Sequence, residues 1–263
     1  PYHAFPTHEL LRQQGINVRT IAGQWAHNYP DQPDRHSEVT SGYGAEAFPN
    51  MTRFDWAVEL FPWFEYYLKG IGDEPESYVQ MQRNDGRWHI EETWPPEDTS
   101  VLQVSGDGGN QRVSSTSGGF EITLEISDEP IHISGLPTLH TDVSTGLCNG
   151  GQLFVTMKDA ESGLRLGHAT MDVRYRDGGY DSKPTASLST YRMLMEFNPM
   201  DVIVPSGILT LQFSESGEDY IPSPCAVNGL LVNGFDLGLP LIDRWGEHEA
   251  WFDVPPWWEV QEM

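Results

Sequence analysis

Apolar and polar positions change period along this chain, and the change divides it. Residues 8–15, "HELLRQQG", carry apolar residues at helical spacing and end on Gly15, a helix-stop signal. "INVRTIAGQ" follows, short and β-branched, and predicts a strand. Residues 31–50 are polar and rich in Pro and Gly, a surface loop. "TRFDWAVELFPWFEYYLKG" predicts a helix opened by a Thr52–Asp55 capping box and closed by Gly70, with Pro62 bending or splitting it. Its aromatic residues, from Phe54 to Tyr67, predict burial against something large. Helix, strand and loop in this order are a fragment of α/β architecture.

Beyond Gly70 the period drops to two. "YVQMQRNDGRWHIEETWPP" alternates about an Asn84-Asp85-Gly86 turn and predicts a hairpin. Strand-like runs then recur between turns: "VLQVS", "GFEITLEIS", "PTLHTDVS", "QLFVTMKDA", "LRLGHATMDVRY", "YRMLMEFNP", "DVIVP", "ILTLQFS" and "GLLVNGFDLGLPLI". Strands without intervening helices predict an antiparallel sandwich or jelly roll. The boundary between the two regions is placed near residue 75, giving segments 1–74, 75–245 and a Trp-rich tail, 246–263, that must pack somewhere.

Composition sharpens this picture. The 263 residues include 26 Gly and 19 Pro spread through the chain, which suits many strands joined by tight turns. Lys and Arg number 15 against 39 Asp and Glu, a net charge of −24, which argues against a nucleic-acid partner. The acidic residues are scattered, as on a charged folded surface, and with lysines only at 69, 158 and 183 they predict a high-salt milieu, with an ordinary acidic protein as the alternative. No apolar run is long enough to span a bilayer, and no leader pattern opens the sequence, so a soluble chain without a membrane partner is expected, cytoplasmic or secreted. Homo-oligomerisation is left open.

Candidate chemistry is sparse. Cys148 and Cys225 lie in Gly- and Pro-rich loops without metal-ligand spacing; two unpaired thiols are expected, with a disulfide as the alternative. His89, His132, His140, His168 and His248 are too scattered to read as a metal site. Asp107, Asp177 and Asp181 sit in "SGDGGN" and "RDGGYD", which read as acidic turns sooner than as calcium loops. "GLRLGH" lacks the Gly run and Lys of a phosphate loop. No serine stands in a G-x-S-x-G elbow: Ser41, Ser117 and Ser216 have glycine on one side only. In "IAGQWAHNYPDQPD", His27 follows the predicted strand between Trp25 and Tyr29; alone, such a histidine is more often structural than catalytic.

Taken together, "GQWAHNYPD", "WFEYYLKG", the 78–96 hairpin, "HISGLPTLHTDVST", "GLRLGHATMDVRYRD" and "MEFNPMDVIVPSG" resemble the C-terminal half of the Xaa-Pro dipeptidyl-peptidase group of serine hydrolases, whose relatives include cocaine esterase and the α-amino-acid ester hydrolases. The likeness runs over roughly residues 10 to 242. It implies a mostly β fold, an antiparallel jelly-roll sandwich of galactose-binding-like type, preceded by the C-terminal fragment of an α/β-hydrolase domain. It also implies that His27, in a G-[QP]-W-x-H motif, is the general base and then acid of a triad, with Trp25, Asn28 and Tyr29 shaping the pocket. The partner serine and aspartate are then expected on an upstream hydrolase segment, the substrate is a peptide or ester, and no cofactor is implied. The competing reading is a non-catalytic β-sandwich that binds carbohydrate or a protein partner.

Overall fold

In the computed structural model, residues 4–23, 56–84, 88–177, 181–217 and 223–243 are described. They fall into two compact units: one holds the chain up to Asp98 together with Asp201–Ile203, the other Thr99–Met200 and Val204–Ile242.

The first unit begins with α1 (Ala4–Gln13), which stops where the sequence said it should. Gly15 takes φ +72°, and the Ile16 amide reaches back to the Leu11 carbonyl at 3.0 Å, a left-handed C-terminal cap that glycine adopts without steric cost. Strand β1 (Arg19–Ala22) follows, then helix α2 (Trp56–Phe64) and one π-helical turn (Glu65–Lys69) ended by Gly70 at φ +68°. Pro62 lies inside α2, and the α-helical hydrogen-bond pattern gives way to the wider π turn three residues later. Strands β2 (Tyr78–Gln82) and β3 (Trp88–Glu91) form the expected hairpin, with Gln82 opposite Trp88.

Strand β2 also pairs with β1, in parallel, from Arg19 opposite Tyr78 to Ala22 opposite Met81. A parallel pair needs a long crossover, and here it contains α2, so β1, α2 and β2 make a βαβ unit. That pairing explains why residues 75–98 group with the first unit, whereas the sequence reading put the boundary ahead of the hairpin. Phe5, Val79, Met81 and Trp94 form the unit's buried core, with Ala22 against it and the Phe5 and Trp94 rings 5.5 Å apart.

One expectation is overturned. The aromatic helix is not buried among the described residues: Phe61, Phe64 and Leu68 are 57%, 54% and 76% exposed, and Val58, Leu60 and Tyr67 also face outward. Amphipathic spacing marks a face that seeks a partner; it does not supply one.

The second unit is an antiparallel sandwich, as expected. One sheet runs β10 (Thr190–Glu196), β7 (Thr138–Thr145), β13 (Leu230–Leu241), β6 (Ile131–Gly135), β11 (Met200–Val204), with β4 (Ser100–Val113) also on β13. The other runs β5 (Phe120–Glu125), β12 (Ile208–Ser214), β8 (Gln152–Asp159), β9 (Arg165–Asp172). Burial alternates residue by residue in β7 and β12, the signature of one face on the core. Phe213 of β12 joins the two sheets, stacked on Phe120 at 4.8 Å and 5.8 Å from Phe235 of β13.

Two further features depart from the sequence reading. Strand β4 runs through "GDGGNQRV", where glycines suggested a turn, because β13 crowds it: a Cβ on Gly106 would lie 2.2 Å from the Phe235 ring, and one on Gly108 2.5 Å from the Val232 carbonyl oxygen. The register shifts here, between Val232 and Gly234. The cysteines, expected as free thiols, are paired: Cys148, after β7, and Cys225, before β13, form a disulfide with Cα atoms 5.6 Å apart.

Candidate active site

His27, Trp25, Asn28 and Tyr29 lie outside the described residues, as does His248. What the structure describes is the support that delivers the chain to them. Strand β1 ends at Ala22, and the G-Q-W-A-H motif begins at the next residue. In α/β sheets the carboxyl ends of parallel strands carry the chemistry, because the loops leaving them converge there. Among the described residues β1 is the edge of the three-stranded sheet, paired only with β2.

Four side-chain contacts hold β1 in place. His8 is buried on the inner side of α1, and its Nδ1 lies 2.8 Å from Thr20 Oγ1. Desolvation holds this imidazole below its ordinary value of 6.5, outweighing the upward pull of Glu9, while Arg12 adds to the lowering. Arg19 donates to Glu59 Oε2 at 2.7 Å and to the Glu76 carbonyl, and its guanidinium lies 4.1 Å from the Tyr78 ring centroid. This one side chain therefore ties β1 to α2 and to β2, pairing a charge with a carboxylate and an aromatic face.

The remaining candidates separate. Asp107 accepts from the Gly109 amide at 2.7 Å within β4, and Asp177 pairs with Lys183. No group of three or more His, Cys, Asp or Glu side chains able to hold a metal occurs among the described residues. His168 stacks on Phe154 at 5.2 Å. His89 is buried with Nε2 3.1 Å from Asp201 Oδ2 and Nδ1 3.8 Å from Glu91 Oε1, a grouping that lies wholly within the first unit. Nothing in the sequence pointed to that pair, since His89 and Asp201 sit in unrelated strand patterns.

A further set escaped the sequence reading altogether. Asn17, Trp63, Tyr67 and Glu74, with Gly15 and Ile16, line a cavity of about 470 Å³. Tyr67 donates to Glu74 Oε1 at 2.9 Å, and desolvation together with that bond raises its phenol above the ordinary range, so it is a neutral donor. Asn17 precedes β1, so the cavity lies beside the amino end of the strand, whereas the histidine motif leaves its carboxyl end, roughly 20 Å of extended chain away.

No family model matches the chain, and no curated protein matches it. Solved structures do. An α-amino acid ester hydrolase superimposes with a TM-score of 0.59 at 14% identity, over 92% of this chain and 53% of that one. An aminopeptidase from a marine-sediment Thaumarchaeota archaeon gives 0.56 at 13%, over 89% and 50%. A CocE/NonD family hydrolase from Staphylococcus aureus gives 0.52 at 14%, over 92% and 54%. The chain thus spans about half the length of each. At these identities the likeness is one of fold: a mostly β chain with antiparallel sheets, consistent with the β-sandwich domain of CocE/NonD-type hydrolases.

Proposed function

We propose that this chain supplies the general base, His27, to a serine hydrolase whose nucleophilic serine and triad aspartate lie on polypeptide outside the sequence. The observation that carries the reading is the βαβ unit: a parallel strand, open along one edge among the described residues, ends one residue before G-Q-W-A-H. An open parallel edge accepts further parallel strands, and the outward-facing apolar residues of α2 fit the helix layer that covers such a sheet. A free-standing carbohydrate-binding sandwich has no use for either. His27 would take the serine proton as it attacks an ester or amide carbonyl and return it to the leaving group, through an acyl-serine intermediate. Trp25, Asn28 and Tyr29 would wall the imidazole. The disulfide supports an oxidising compartment, and the −24 charge a salty one.

The test has two arms. The chain alone should give no covalent adduct with a fluorophosphonate, since no serine of the sequence stands in a G-x-S-x-G elbow. Combined with a hydrolase half that carries the serine and aspartate, it should hydrolyse aminoacyl esters or anilides, and His27→Ala should lower kcat by roughly 10⁴. Stoichiometric labelling of the isolated chain, or turnover by His27→Ala within about tenfold of the parent, overturns the assignment.

A further inference from the structure

We propose that this chain pairs with a second copy of itself through the free edge of β4, the two strands running antiparallel about a twofold axis at Gln103. Among the described residues β4 is bonded along one side only, to β13, so its other side presents backbone amides and carbonyls that no strand receives. Sheet edges are ordinarily guarded by charge, proline or brevity. The other edges of the sandwich follow that rule: β5 carries Glu121 and Glu125, β9 Arg165 and Asp172, β10 Arg192 and Glu196. Strand β4 does not. It is 14 residues long, and its first half, "SVLQVSG" from Ser100 to Gly106, has neither charge nor proline. In a chain of net charge −24, that run is where two copies can meet without setting carboxylate against carboxylate.

The side chains of the run also leave the sandwich unfinished. Leu102 and Val104 lie opposite Leu239 and Leu237 of β13, hence on the same face, and both leucines of β13 are fully buried. Leu102 is nevertheless 38% exposed, so the apolar layer stops short at this edge; on the other face Val101 is 59% exposed. Residues opposite each other in an antiparallel ladder share a face, so two copies of one strand pair only in registers that set some residue opposite its own twin. The register centred on Gln103 uses the whole uncharged run. It sets Leu102 against the partner's Val104, Val101 against the partner's Ser105, and the Gln103 amide, donor and acceptor at once, against its twin. Moving the axis one residue either way draws Asp98 or Asp107 into the pairing. The same surface patch serves both copies, which closes the assembly at two. This inference stands apart from the hydrolase reading, because β4 belongs to the second unit and the histidine motif to the first.

The experiment is sedimentation equilibrium of the full chain in about 1 M potassium chloride, where the Debye length of about 3 Å screens repulsion between copies. A monomer–dimer equilibrium with a dissociation constant of about 1 to 50 μM is expected, and a monomer at every concentration up to about 200 μM overturns the proposal. Register is read by cross-linking. Gln103→Cys should give a covalent dimer on mild oxidation, because twins on the axis have Cα atoms about 4.5–5.5 Å apart, within disulfide reach. Twins of Ser100→Cys would stand about 20 Å apart and should not cross-link. Leu102→Lys, and Val101→Lys at the more exposed position, introduce the charge that guards other edges; each should weaken the dimer at least about tenfold while the dilute monomer keeps its melting temperature. A dimer that neither lysine variant weakens, that Gln103→Cys does not cross-link, or that Ser100→Cys cross-links as readily, is formed by another surface and overturns the assignment.

Discussion

Breaking the disulfide is the perturbation with the clearest magnitude. Cys148 and Cys225 are 77 residues apart in sequence, and the loop they close contains β8 to β12, most of the smaller sheet and part of the larger. On the chain-entropy account, closing a loop of that length removes about 15 cal/mol/K from the unfolded ensemble, or about 4.5 kcal/mol at 25 °C. Enthalpic and residual-structure effects usually trim this, so a loss of about 3 to 4.5 kcal/mol is expected on reduction, a large share of a domain's net stability. The assay compares urea unfolding of the oxidised protein, the reduced protein, and Cys148→Ala with Cys225→Ala. The midpoint should fall in both altered forms, with the slope unchanged or slightly steeper because the released chain expands further. Cys225 is buried, so the alanine pair should lose a little more than simple reduction does, through the missing sulfur contacts. A loss below about 1 kcal/mol would show that the loop is already restrained in the unfolded state, and the entropic reasoning would fail. A thiol titration that finds both sulfhydryls free in untreated protein would refute the pairing itself.

Two other predictions follow from local geometry. Because burial lowers the His8 pKa, the unfolded chain takes up that proton first as pH falls; the stability tied to neutral His8 is full above about pH 6.5 and lost below it. Melting temperatures between pH 8 and 5 should therefore fall more steeply for the parent than for His8→Asn, and parallel curves would contradict the assignment. Gly229→Ala should cost more than about 3 kcal/mol, since its φ is +58° and the new Cβ would lie 1.8 Å from the Val113 carbonyl oxygen. Gly163→Ala, at φ +71° with nothing within 4 Å, should cost only the dihedral penalty of roughly 1–2 kcal/mol; equal losses in urea unfolding would remove the steric argument.

Local signals in the sequence settled local structure. Gly15 and Gly70 mark their helix ends because only a residue without Cβ enters the left-handed region cheaply, and that constraint needs no neighbour. The alternation in "PTLHTDVS" and "ILTLQFS" fixed which side chains enter the sandwich, because a strand's period of two is a property of its backbone. The β-branched run in "INVRTIAGQ" located β1 through the same local preference. Tertiary structure decided everything that depends on who lies alongside. Whether the 78–91 hairpin belongs to the sandwich or to β1 turned on a parallel pairing across a whole helix, and strand patterns are blind to partners. The glycines of β4 read as a turn until the Phe235 ring and the Val232 carbonyl filled the space their missing side chains leave. The disulfide, the His89–Asp201 contact and the Asn17–Tyr67–Glu74 cavity each join residues remote in sequence, and no periodicity encodes such meetings. The α2 aromatic face shows the same division: its spacing announced a surface to be covered, and only the three-dimensional arrangement revealed that the described chain leaves it open.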